Sequence, residues 1–250
     1  MSVGTFDTIV LAWIAIGLIA VPFELRITAP YGRHSHAGWG PRIPARAGWM
    51  LMEGASLVFF VVPFLTGVNQ KTAAMWVFFA LWVAHYVNRS IVFPLRITSK
   101  PMPLAIVAMG IVFGVVNGWV NGYWLGSLVA PYPDAWLLDP RFVLGIVVFA
   151  AGAAINLFSD ETLMHLRKPG GPQYSIPHGG FFRWVSCANH FGEIVEWTGF
   201  ALMCWSLPAL SFAIWTAANL VPRALSHHRW YRERFADYPP ERRAVVPFIL

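Results

Sequence analysis

Charged side chains are scarce in this chain: Asp, Glu, Lys and Arg make up 12% of 250 residues, against 57% hydrophobic. Soluble domains carry about twice that share of charge, so a soluble globular protein of this size is excluded. Cysteine is nearly absent. Cys187 and Cys204 lack CxxC spacing and lie in apolar runs, which reads as packing rather than a disulfide or metal pair. No GxGxxG follows a strand, and the sequence predicts no strands, so any dinucleotide must lie between helices rather than on a Rossmann sheet. Among eight histidines only His34/His36 and His227/His228 are close, with no HExxH or paired ExxH, which excludes a zinc or di-iron centre. No GxSxG elbow for acyl transfer occurs either.

What fills the chain instead is a set of apolar segments at 5–25, 47–68, 72–94, 103–127, 141–159, 181–206 and 208–224. Most approach the roughly 20 residues that a helix needs to cross a bilayer. Ser206-Leu207-Pro208 separates the last two, and a proline there ends one helix or kinks it. The first segment has no basic residue before it and no small-residue cleavage site after it, so it is expected to stay as a span. No internal repeat, low-complexity tract or soluble domain is evident, and residues 1–250 read as one domain. A net charge of +6 suits nucleic acid in principle, but its distribution speaks for a membrane and against a nucleic-acid partner. Sixteen of eighteen basic residues fall in alternate connections and the tail, leaving Lys71 and Arg141 on the other side. The expected fold is an all-α integral membrane protein with seven transmembrane helices, N-terminus outside and C-terminus cytoplasmic.

A charge placed in hydrocarbon costs about 2.5–3.5 kcal/mol on insertion scales, so each such residue needs a partner or a task. Glu53 lies two turns into the second segment, and His85 and Tyr86 near the end of the third. Asn156 and Asp160 are spaced i, i+4; Asn189, Glu193 and Glu196 follow i, i+4, i+7 along one helical stripe. All fall in the cytoplasmic half of their segments, which implies one polar cavity open to that side. Structural readings stand beside this one: an asparagine can bridge helices, and Glu193 and Glu196 can pair with Arg183 or Arg223. Glu53 shows no nearby basic residue along its helix. An isolated carboxyl among apolar groups favours its neutral form, which can donate to a carbonyl oxygen and steady the enolate formed when a conjugated ketone is reduced.

Arg223, His227 and Tyr231 stand at i, i+4, i+8 where the tail begins. Such a face suits anionic lipid headgroups, or a phosphorylated cofactor held by arginine forks.

The segments PARAGWMLMEGAS, HYVNRSIVFPLR, INLFSDETLMHLRKPG, YSIPHGGFFRWVSCANHFGEIVEWTGFAL and RALSHHRWYRERFADYPPERRAVVPFIL resemble, in order, the steroid 5α-reductase family. The resemblance implies a seven-span enzyme that uses NADPH to reduce the C4–C5 double bond of 3-oxo-4-ene steroids. It implies that Glu53 and Tyr86 hold the 3-oxo group. It assigns Tyr31, Asn156, Asp160, Arg167, Tyr174, Asn189, Glu193, Glu196, Arg223, His227, Tyr231 and Arg242 to NADPH, with no metal. Met52 stands where the vertebrate members have Gln. The expected partners are a steroid and membrane lipid, with no obligatory protein partner. High arginine relative to lysine suggests a bacterial source and an inner membrane; a eukaryotic member would sit in the endoplasmic reticulum. The alternatives are an S-adenosylmethionine-dependent membrane methyltransferase, a reductase of another enone or enoyl lipid, and a non-catalytic sterol binder.

Overall fold

Long apolar runs become long helices in the computed structural model, which describes residues 1–166 and 174–250. In order they are α1 (Val3–Arg26), α2 (Ala45–Thr66), α3 (Ala73–Val87), a π turn (Asn88–Val92) leading into the short α4 (Phe93–Arg96), α5 (Leu104–Tyr123), α6 (Pro140–His165), α7 (Ala188–Cys204) and α8 (Leu207–Arg234). Five stretches are long and apolar enough to cross a membrane: Val3–Arg26, Ala45–Thr66, Ala73–Arg96, Leu104–Leu128 and Pro140–His165. That evidence stops at five of the seven expected spans for a physical reason. The remaining helices are α7, only 17 residues long with Asn189, Glu193 and Glu196 on it, and α8, which carries the arginines of the tail.

Local chemistry sets the boundaries. Pro140 opens α6, and the Asp139 carboxylate accepts from the Arg141 backbone N–H at 2.9 Å, an arrangement suited to a helix start. Hydrogen bonding from Arg141 holds the Asp139 carboxyl at about 2. Between α7 and α8 the chain turns through Trp205 in the left-handed region, and Ser206 Oγ accepts from the Ala209 N–H. Pro208 therefore lies in the first turn of a new helix rather than at a kink. The sixth apolar segment turns helical only at Ala188. Residues Gly180–Arg183 form a 3-10 turn, and the chain after it is extended against the tail, with backbone bonds from Ser186 to Arg243 and Cys187 to Ala244.

The expectation of no strands is corrected on a small scale. β1 (Arg42–Ile43) pairs antiparallel with β2 (Met102–Pro103), Arg42 opposite Pro103, so two connections satisfy each other's backbone groups.

The chain forms two compact units: Met1–Val10 with Ala29–Phe142, and Leu11–Thr28 with Val143–Leu250. In the first, α2 lies directly against α5 and the π turn that follows it (Trp124–Leu128), where glycines recur every fourth residue from Gly110 to Gly126. A Cβ on Gly118 would stand 2.7 Å from the Ser56 carbonyl oxygen, so only glycine permits this approach. Trp82 of α3 stacks on Phe60 at 4.5 Å and donates its indole N–H to that same Ser56 carbonyl at 3.3 Å. In the second unit, α6 crosses α7 with Gly152 against Gly192. A Cβ on Gly192 would lie 2.9 Å from Asn156 Cα, so this crossing decides where Asn156 sits. Trp215 of α8 stacks on Trp13 of α1 at 4.5 Å and donates to its carbonyl.

Candidate active site

Glu53 projects from α2 and is largely buried, and Arg89 from the π turn approaches it, Nη2 to Oε1 at 3.6 Å. That is an ion-pair distance, too long for a hydrogen bond. The expectation of a carboxyl without a countercharge is thereby corrected. Arg89 counts by sequence among the basic residues of a cytoplasmic connection, yet it is 8% exposed. Its guanidinium lies over the rings of Phe93, at 4.8 Å, and Trp49, at 5.2 Å. Such cation–π contacts offset part of the cost of burying the charge. π turns often mark functional positions, and here the turn is fixed by Ser90 Oγ donating to the Tyr86 carbonyl at 2.6 Å.

Tyr86 lies in the last turn of α3 at 2% exposure, packed on Trp82 at 5.2 Å. The Trp82 bond to Ser56 therefore helps to set the rotation of α3 that buries the phenol. Tyr86 stands three residues before Arg89, on neighbouring surface of the same helical run. Met52 packs against Gly110 of α5, so the position before Glu53 is occupied by apolar contact with a neighbouring helix. Tyr31, expected beside the cofactor, packs edge-on to Trp49 at 6.2 Å, within this first unit.

In the second unit Asn156, Asp160, Asn189 and Glu193 form one network. Asn156 Nδ2 donates to the Asn189 carbonyl at 2.9 Å and approaches Glu193 Oε2 at 3.5 Å. Asn189 Nδ2 donates to Asp160 Oδ1 at 2.9 Å. Glu196, 3% exposed, sits where α7 meets Gly152. The expected stripes on α6 and α7 thus face each other.

The remaining expected residues gather around α8 and the tail. Arg223 is buried, and the His227 ring lies 5.6 Å from that of His190 on α7. Tyr231, 1% exposed, stacks on Tyr238 at 5.2 Å, and Tyr174 meets Trp230 edge-on. Buried Arg242 donates to the Pro177 carbonyl at 3.0 Å and lies over the Tyr238 ring. Arg167 lies outside the described residues.

A cluster missed at the sequence level holds the tail in place. Ser186 Oγ lies 2.6 Å from both His228 Nδ1 and Tyr238 Oη. Burial, then the charges of Arg232 and Arg243, holds His228 below the ordinary imidazole value. Burial pushes the Tyr238 phenol up. A neutral His228 accepting from Ser186, which accepts from Tyr238, satisfies all three. Its only sequence signal was the pair His227/His228, of which the resemblance used one.

Together these groups can do two things: hold an anionic, hydrogen-bonding molecule on buried arginines, carboxylates and amides, and present a buried phenol and a carboxyl to a polar atom. A family model described as 3-oxo-5-alpha-steroid 4-dehydrogenase matches residues 100–250. Over 244 residues the chain is 40% identical to the 3-oxo-5-alpha-steroid 4-dehydrogenase 1 of Bos taurus, covering 94% of this chain and 93% of that one. It is 42% identical over 225 residues to 3-oxo-5-alpha-steroid 4-dehydrogenase 2 of Macaca fascicularis, with coverage of 88% and 87%. It is 38% identical over 231 residues to steroid 5-alpha-reductase DET2 of Arabidopsis thaliana, with coverage of 89% and 88%.

Proposed function

The chain belongs to the 3-oxo-5-alpha-steroid 4-dehydrogenase family, and from that premise we propose that it uses NADPH to reduce the C4–C5 double bond of 3-oxo-4-ene steroids to 5α-reduced 3-oxo steroids. Membership in an oxidoreductase family sets aside the methyltransferase alternative. The observation that carries the reading is a phenol at 2% exposure, Tyr86, one turn from the arginine that grips Glu53.

A ketone oxygen only accepts hydrogen bonds. Tyr86 donates through its hydroxyl, and Glu53 donates when it carries a proton. As hydride reaches C5, the electron pair of the C4–C5 bond moves toward the C3 oxygen, and donors already aimed at that oxygen stabilise the growing negative charge. C4 then takes a proton, which completes the addition of one hydride and one proton. Arg89 holds the Glu53 carboxyl in place at 3.6 Å, so we assign Arg89 to positioning.

The second unit fits a phosphorylated dinucleotide. Arg223 and Arg242 are buried cations, and Arg242 Nε is buried without a hydrogen-bond partner among the described residues. Guanidinium groups of this kind bind phosphate oxygens. The amide and carboxylate network of Asn156, Asp160, Asn189, Glu193 and Glu196 supplies donors and acceptors for hydroxyls and a carboxamide, and His227, Tyr231 and Tyr174 supply aromatic surface. The family resemblance, not the packing, adds Arg167 and Tyr31 to the proposed set. When bound, NADPH supplies the hydride. We further propose that α7 and α8 join the five apolar helices in the membrane, with the basic tail cytoplasmic, supported by the one-sided distribution of arginine. That membrane is the inner membrane in a bacterium and the endoplasmic reticulum in a eukaryote.

The test is purified protein with NADPH and testosterone or progesterone. The expected result is a 5α-reduced product formed with equimolar NADPH oxidation. Folded protein that yields none overturns the reading. Tyr86→Phe and Glu53→Ala should each lower kcat by about 10²–10³-fold, the cost of one oxyanion donor, with NADPH affinity unchanged. Full turnover by Glu53→Ala would point to a substrate that does not lean on this acid.

A further inference from the structure

Past the apolar part of α8 lies a groove of about 480 Å³ that holds none of the residues assigned to reduction. Leu25 of α1 with Pro222 and Leu225 of α8 make its apolar end; Ser226, Arg229 and Arg232 make its polar end. His228 and Glu233 also line it, Glu233 being its one carboxylate. On α8 these positions fall at i, i+3, i+4, i+6, i+7, i+10 and i+11, so they share one broad helical face, with His228 at its edge. From Pro222 to Arg232 the helix rises about 15 Å, enough to pass from hydrocarbon to headgroup depth. Ser226 Oγ bonds Thr28 Oγ1 at 2.8 Å, which ties the end of α1 to α8 at the middle of the groove. Beneath it, α1 is a candidate span whose Leu25 side, at intervals of seven residues, shows Leu18 at 55% and Leu11 at 54% exposure, the pattern of a surface that faces lipid.

We propose that this groove binds an anionic phospholipid, with Arg229 and Arg232 on the phosphodiester and an acyl chain running along the Leu25 side of α1. Arginine forks suit phosphate oxygens, and basic residues at a membrane surface attract anionic headgroups. Two guanidinium groups beside one carboxylate leave a single positive charge, with His228 held neutral by burial and its arginine neighbours. One positive charge matches a phosphodiester, which carries one negative charge, better than a phosphate monoester, which carries about 1.5 to 2. Glu233 can accept from a headgroup hydroxyl, which favours a glycerol headgroup.

The proposal stands apart from the reductase reading, because its test uses neither NADPH nor steroid. Native mass spectrometry of the purified protein, titrated with phosphatidylglycerol or phosphatidylcholine, measures retention of each lipid. The wild type should retain phosphatidylglycerol preferentially. Arg229→Gln/Arg232→Gln should lose about 25-fold in affinity for it, a factor of about five per arginine near the surface, with phosphatidylcholine unchanged. Arg234→Gln removes an equal charge from an exposed position that does not line the groove and should leave retention intact. Excess inorganic phosphate should not displace the lipid. Equal retention of the two lipids, an unaffected double variant, a matching loss in Arg234→Gln, or displacement by inorganic phosphate would each overturn the proposal, the last by marking a free-phosphate site.

Discussion

At the scale of single residues, the pairing of Glu53 with Arg89 changes what the acid can be. In an apolar surrounding, removing one partner of an ion pair leaves a charge without compensation, at a cost of about 3–5 kcal/mol when the site is fully buried. Glu53 keeps 18% of its side chain exposed, so about 2–3 kcal/mol is the scale expected for Arg89→Met. Thermal unfolding in detergent should show that loss, and adding Glu53→Gln should recover much of it; a double variant no more stable than Arg89→Met would mean that Arg89 acts through its aromatic contacts alone. The pair was hidden in the sequence because its members sit on different helices, and no spacing within one helix encodes how two helices pack. The Asn156/Asp160 and Asn189/Glu193 spacings were legible because each lies within one helix, where i and i+4 share a face. That Asn189 bonds both Asn156 and Asp160 follows only once α6 and α7 are in contact.

At the scale of elements, contact between helices rests on glycine. Lipid offers no hydrophobic drive for helices to associate, so close packing through small residues takes its place. Gly110 to Gly126 at intervals of four are visible in the sequence, but a reading by hydropathy counts glycine as nearly neutral and passes over them. Two-residue strands escaped for another reason: they are too short for any alternation. The packing gives a sharp contrast. At Gly152 a Cβ would meet the Glu196 backbone and lie 2.6 Å from the Gly192 carbonyl oxygen, whereas at Gly54 it meets nothing within 4 Å. Gly152→Ala should therefore cost about 1–3 kcal/mol by overpacking. Gly54→Ala should be neutral or stabilising by up to about 1 kcal/mol through a stiffer unfolded chain. Unfolding midpoints of the two variants check this, and equal effects would mean that the α6–α7 approach is looser than it looks.

At the scale of the whole chain, composition made the membrane class plain, since no soluble arrangement hides so much apolar surface. Five helices are long and apolar enough to read as spans, whereas α7 is short and polar along one stripe and α8 runs on into the basic residues of the tail. The docking of the tail was not legible at all, because residues 184–187 and 243–244 are joined by backbone bonds that side-chain patterns do not announce. Yet that docking carries a titratable lock. His228 is held below 6.5 in the folded protein and returns to about 6.5 when the tail is released. Its contribution is complete above pH 6.5. As pH falls from 6.5 toward the folded value, the released state takes up a proton that the docked state resists, so docking weakens. His228→Gln keeps a hydrogen-bonding side chain but cannot titrate. The wild type should therefore lose stability relative to His228→Gln as pH drops below 6.5, read as a narrowing or reversal of the difference in unfolding midpoint. Tail cleavage by a protease should rise over the same range in the wild type alone. A constant difference between the two proteins across that range would show that His228 does not sense pH through Ser186 and the tail.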